Sequence, residues 1–444
     1  MHMSQGRRLL AVAAALLAPC LALAGCSGAS SSAAGGTAKN SVVTIDFYYP
    51  DQVGTLGTLI DGYLKEFAAQ NPDIHVNGVY SGDYDQTLAA VNTAIDANKA
   101  PALAIMDQSF MHDLVHRDVV TTWDEYLTSD ADKAWLKAFY PQFMSNGVGA
   151  DGKVYGIPFA RSTIVQYWNK NMFKAAGLDP DKPPANWDAV LADAKATQQK
   201  AGAKWGVFIP TSTGTAYWLY QALVQQAGGV GAISKAAGNE VTLNSPADVK
   251  ALQFWASLAK EGVAPSTEVS WSTSTDDFLA GTTAMMWTTS GRMGSIQSKA
   301  TFDWGVAALP TEVGTGAPTG GGSLMLFKNG VTPEQHQAAV KLAKFLTTPE
   351  RAADVSINSG YIATSEAAWN TPAMAAYLQK FPQAKAPHDA IAQAIPEMAT
   401  FERDQVVYQT LAPALQSVLL QGADAQATLA KAQSDIDKIL ASYR

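Results

Sequence analysis

Cysteine is nearly absent from this 444-residue chain: there are two, Cys20 and Cys26, both close to the N-terminus. Everything after residue 26 lacks a thiol, which excludes disulfides, Cys-based metal sites and Cys nucleophiles there. Histidine is scarce as well, with six residues. His112 and His116 stand four apart, but the run HDLVH has no Glu beside the first His, so the metalloprotease pattern is missing. A surface helix with two histidines is the expected reading. Basic residues are outnumbered, 31 against 39 acidic, and the net charge of −8 argues against nucleic acid, which needs a basic surface. There is no Walker A run. The glycines of 314–320 have the wrong spacing for a dinucleotide loop, and Pro318 argues against a helix starting there. Ser257 and Lys260 match the Ser-x-x-Lys spacing of penicillin-recognising enzymes, but the companion motifs are absent. No pair of carboxylates stands out as a glycosidase pair. A catalytic set, a cofactor and a metal site are therefore not expected.

What is present begins at the N-terminus. Arg7 and Arg8 precede an apolar run from Leu9 to Ala24, which breaks at Leu23-Ala24-Gly25-Cys26. A basic start, an apolar stretch and a small-residue site make a secretory signal peptide, outside the fold proper. The run is too short and too Ala-rich for a good membrane-spanning helix. Leu-Ala-Gly-Cys resembles the lipobox of bacterial lipoproteins, which implies that Cys26 is acylated and becomes the first residue. Residues 27–40 are Gly, Ser and Ala with little else, a composition that cannot bury a core and acts as a flexible tether. The chain is thus expected to be exported and lipid-anchored to the outer face of the cell membrane, attached without spanning it.

About 400 residues remain, more than one ordinary domain. Val42 to Tyr49 reads as a strand, Gly57 to Gln70 as a helix, His75 to Tyr80 as a strand, Tyr84 to Ala97 as a helix and Leu103 to Met106 as a strand. Val154 to Pro158 and Val165 to Trp168 read as two further strands, Trp187 to Ala201 as a helix and Trp205 to Ile209 as a strand. Ser245-Pro246 opens a helix that Gly262 closes, Thr332-Pro333-Glu334-Gln335 is a capping box, and Thr348-Pro349-Glu350 repeats the device. Asp424 to Ser442 is helical. Strands alternating with helices predict an α/β class with a largely parallel sheet. Eleven tryptophans, among them Trp168, Trp218, Trp271, Trp287, Trp304 and Trp369, exceed ordinary structural use. Indole rings offer faces on which the C–H faces of a sugar stack, although most such rings in any protein are core.

Several stretches in fixed order carry a resemblance: GKVYGIPFARST (152–163), QYWNKNMFKAAGLD (166–179), PPANW (183–187), DFLAGTTAMM (277–286), FDWGVAALP (302–310), TGGGS (319–323) and SGY (359–361). Together they resemble the family 1 extracellular solute-binding proteins of ABC importers, closest to the branch that binds glycerol-3-phosphate and glycerophosphocholine, over residues 42–444. The resemblance implies a type II periplasmic-binding-protein-like fold: two α/β lobes joined by hinge segments, with ligand in the cleft between them. Lobe 1 is expected to hold 41–150 and about 286–345, lobe 2 151–285 and about 346–444. A monomer that closes on a small solute and delivers it to ABC permease subunits is implied. So are ligand contacts at Tyr84, Asp107 or Gln108, Ser162, Trp218, Thr289 or Ser290, Gly321 and Tyr361. In the glycerophosphate branch an Arg meets the phosphate near the C-terminal helix. Counting back from Gly422, that position here is Gln409, and Arg403 lies about two helical turns earlier, too far to replace it. Arg292 is the candidate substitute. The expected ligand is therefore a neutral sugar or oligosaccharide, with glycerol-3-phosphate or a glycerophosphodiester as the alternative; an exported glycosidase or a surface adhesin ranks below both.

Overall fold

The computed structural model describes residues 42–230 and 238–444; Cys26, the apolar run before it and the tether lie outside the described residues. The first strand, β1 (Val43–Tyr49), buries Ile45, Phe47 and Tyr49 on one face, as a period of two dictates. It leads into helix α1 (Leu56–Gln70), whose buried face is Leu56, Ile60, Tyr63 and Phe67. Strand β2 (Ile74–Tyr80), helix α2 (Tyr84–Asp96) and strand β3 (Leu103–Asp107) follow. Both β2 and β3 pair with β1 in parallel. This opening is the predicted alternation, and its boundaries agree to within a residue or two.

The expectation of two strands at 154–158 and 165–168 fails. A single strand, β5 (Ile157–Asn169), runs through, buried over its whole length. At about 3.3 Å per residue it spans roughly 40 Å. Its first half pairs with β9 (Thr319–Phe327) and its second half with β7 (Thr283–Thr289) and β8 (Trp304–Ala308). The polar triplet Arg161-Ser162-Thr163 looks like a break in the sequence because it interrupts the apolar run, yet it is where the strand passes from one sheet to the other. The strand order is β2-β1-β3-β9-β5-β7-β6, with β6 at Trp205–Phe208 and the short β4 (Val120–Thr121) on β9. Three ladders are parallel and five antiparallel, so the predicted largely parallel sheet is mixed instead. The strands that return from one half to the other, β5 and β9, enter each sheet against the direction of its neighbours.

Two main cores flank this crossing. One contains Phe47, Phe67, Leu103, Trp123, Phe327 and Leu346; the other contains Trp187, Tyr220, Trp255, Trp287, Leu415 and Ile436. The lobe boundaries expected at about 286 and 346 are displaced. Residues up to Ala308 pair with the second half of β5, and the chain rejoins the first sheet only at Thr319. Leu346, Val355 and Tyr361 pack in the first core, so the return comes after residue 361. A helix pattern is the same in either lobe; strand pairing decides membership. Thr348 caps its helix through the Arg351 N–H at 3.5 Å, and Gly360 ends that helix in the left-handed conformation. His112 is not on the surface: it is buried against Phe401, and burial pushes its imidazole down to about 4. His116 is the exposed one.

Candidate ligand cleft

A cavity of about 270 Å3 opens where the two sheets meet. The first lobe supplies side chains fixed by local capping. Asp83 caps α2 in a reciprocal box with Gln86, which sets Tyr84 and Asp85 in the first turn, facing the cavity. At the end of β3 the Asp107 carboxylate accepts the Ser109 N–H at 2.9 Å and hydroxyl at 2.7 Å, turning the chain so that Asp107 and Phe110 line the wall. This is the strand carboxyl end, where open α/β sheets carry their ligands. Tyr361 closes the same side.

The floor is where β5 and β9 cross. Ser162 lines it together with Gly320 and Gly321. A side chain at Gly320 would press into the Trp218 indole at 2.5 Å, and at Gly321, whose φ is +91°, it would overlap the Ala160 carbonyl. Beneath the floor lies Arg161, fully buried, its Nη1 donating to the Gly321 carbonyl at 3.3 Å. Burial pushes this guanidinium down to about 10, against the pull of Glu397 and Asp107.

The second lobe brings aromatic rings. The helix Thr213–Gln226 begins at Ser212 and presents Tyr217 and Trp218. Trp218 donates its indole N–H to the Thr319 carbonyl at 3.1 Å and meets Trp271 edge-on at 6.1 Å. Trp271 sits between Ser270 and Ser272, both on the cavity wall. Two further groups come from the C-terminal region. Glu397 accepts the Tyr217 hydroxyl at 2.5 Å and the Gln108 amide at 2.8 Å, and burial together with the Asp107 carboxylate pushes its acid up to about 8. Arg403 donates from Nε to the Ser109 hydroxyl at 2.8 Å and lies over the rings of Phe110 and Tyr408 at 4.6 and 5.0 Å. It precedes a π-helical stretch, Asp404–Leu411, entered through Glu402 with φ +51°. Hydrogen bonds from i to i+5 bring Arg403 and Tyr408 to one face, a geometry that recurs at functional sites.

Of the residues expected at the ligand, Tyr84, Asp107, Ser162, Trp218, Thr289, Gly321 and Tyr361 line this one cavity. Gln108 and Ser290 do not: both are fully buried, Gln108 bonded to Glu397 and Ser290 accepting the Tyr167 hydroxyl on its carbonyl at 3.2 Å. Arg292 is outside too: its guanidinium lies 5.8 Å from the Trp271 ring and its charge acts on Tyr361, both on the wall. Gln409 is exposed and hydrogen-bonded to Asp404 at 2.6 Å, in a neighbouring cavity. The residue judged too distant, Arg403, is the cation on the wall. The stretch between it and Gln409 is π-helical, and Arg403 lies over the Tyr408 ring rather than beside Gln409. Glu397 and Tyr408 carried no signal of their own in the sequence, whereas Tyr217 and Trp271 were legible only as members of an aromatic-rich set.

Residues 62–383 match the family described as bacterial extracellular solute-binding protein. The sn-glycerol-3-phosphate-binding periplasmic protein UgpB of Salmonella typhimurium is 30% identical over 374 residues, 78% of this chain and 79% of that protein. The crystal structure of UgpB from Mycobacterium tuberculosis in complex with glycerophosphocholine superposes with a TM-score of 0.79 at 23% identity, covering 90% of this chain and 98% of that one. The cyclic alpha-maltosyl-1,6-maltose binding protein from Arthrobacter globiformis superposes at 0.75 with 20% identity, covering 90% and 99%. At these identities the two structures speak for the fold, two lobes about a ligand cleft. With the sequence match extending over most of the chain and the same architecture around a lined cavity, this protein belongs to the bacterial extracellular solute-binding proteins.

Proposed function

We propose that this protein captures a sugar or oligosaccharide outside the cell and delivers it to the permease of an ABC importer. The carrying observation is the Trp218–Trp271 pair set beside carboxylates: indole faces suit the C–H face of a pyranose, and Asp83, Asp85 and Asp107 accept from its hydroxyls. Acidic groups outnumber Arg403 on the wall, an environment that disfavours a phosphate dianion. One observation favours a second reading. Arg403 supplies the cation whose absence had counted against a glycerophosphodiester, and the relatives named for glycerol-3-phosphate and solved with glycerophosphocholine agree with that ligand class. Binding without chemistry is the proposed activity, and Cys26 is the proposed lipid anchor, supported by the Leu-Ala-Gly-Cys run and the tether behind it.

A thermal-shift screen against sugars, polyols, glycerol-3-phosphate and glycerophosphodiesters tests the ligand. A solute that binds only the folded state raises the melting temperature by mass action. The expected hits are sugars, with the shift lost in Trp271→Ala. Hits confined to phosphate-bearing ligands, with loss in Arg403→Gln, establish the second reading in place of the first.

A further inference from the structure

Beyond Arg403 and Tyr408 lies a second cavity of about 520 Å3, larger than the cleft. Asp85, Phe110, Arg403 and Tyr408 line both, so side chains alone divide the two spaces. The partition is slight at one place. The Tyr408 hydroxyl donates to the Asp85 carboxylate, 2.8 and 2.9 Å from its two oxygens, between one exposed and one half-buried side chain. Asp85 stands on α2 of the first lobe, and Tyr408 on the π-helical stretch that packs against the second core. A bond of this kind opens whenever the lobes part.

The far walls repeat the chemistry of the cleft. The His116 and Tyr443 rings meet edge-on at 5.1 Å, and Asp113, Glu402 and the amides of Gln405 and Gln409 surround them. Carboxylates outnumber the two arginines, Arg117 and Arg403, so the lining suits hydroxyl donors better than a second phosphate.

We propose that the second cavity is a subsite for a further ring of a hydroxyl-rich oligosaccharide whose first ring occupies the cleft, with the Tyr408–Asp85 contact as the gate between them. The proposal rests on the sugar reading above. A glycan array graded from one to four rings, followed by titration calorimetry of each binder and its shorter fragments with the full chain, tests it. Two bulky variants, Gln405→Trp and Gln409→Trp, alter exposed positions that face only the second cavity; circular dichroism and melting temperature establish that they fold. The expected result is that ligands of two or more rings bind at least tenfold more tightly than one ring, and that either variant removes the gain while single-ring binding stays. Multi-ring ligands that bind no better than one ring, or whose advantage survives both variants, overturn the second subsite and leave the sugar reading standing. Glycerophosphodiester binding with no glycan bound overturns both.

Discussion

Glu397 is the buried acid that ties elements of both sides of the cleft together. Its carboxyl joins Tyr217 to Gln108, and its backbone N–H donates to Asn146 at 3.2 Å. Asp107, Arg161 and Arg403 are the charges that act around it. Burial and Asp107 push the acid up to about 8, against about 4.3 in an unfolded chain. The folded protein therefore holds this proton more tightly than the unfolded one. Its contribution to stability is whole below the unfolded value and is lost as pH rises toward 8. Glu397→Gln removes the charge and keeps one acceptor for the Gln108 amide, while its NH2 group faces the Tyr217 hydroxyl, which can turn to accept. Melting temperatures followed from pH 5 to 8.5 should fall in the wild type relative to the variant; parallel curves would refute the assignment. The tyrosines Tyr84 and Tyr217, both buried, are held well above the ordinary phenol range by that burial, so they remain neutral donors throughout this window.

At the scale of elements, the cleft depends on how closely β5 and β9 approach. Gly321 stands in the left-handed region at φ +91° with the Ala160 carbonyl where a side chain would go. Gly321→Ala thus combines a backbone cost of about 1–2 kcal/mol with a steric overlap against a main chain that cannot rotate away. The urea midpoint is expected to fall by the equivalent of roughly 1–3 kcal/mol, a size typical of such strained sites. An unchanged midpoint would mean that the strands part easily, against the continuous pairing seen from Ala160 to Thr163. Much of the element structure was open to reading: α2 begins at Tyr84, as its apolar spacing predicts, and Thr332 forms the capping box its sequence announces. The long strand β5 was not, because a buried polar triplet resembles a loop until its partners are known. The π-helical stretch was not either, since nothing in DQVVYQTL departs from an ordinary helical pattern.

For the whole molecule, capture and release require two arrangements of the lobes that ligand populates unequally. Contacts that already bridge them include Arg403 to Ser109 and Asp113, and Tyr408 to Asp85. The proposed lipid anchor, Cys26, is tested apart from the cleft. If Cys26 carries lipid, cells making Cys26→Ser should incorporate no labelled palmitate into this protein and should shed it from the membrane fraction. Equal labelling of the two forms would place the attachment elsewhere.

The class and the opening alternation of strands and helices were legible in one dimension, and the resemblance pointed to seven residues that line the cavity. These rest on local pattern and on motifs whose order survives in one dimension. Tertiary structure decided which segments share a lobe, that Gln108, Ser290, Arg292 and Gln409 stand away from the cavity, and that Arg403 faces into it. The reason is physical. Strand partners and the hydrogen-bonding register of a helix are settled by packing between distant segments, and the i→i+5 bonding of 404–411 is not written in its residues.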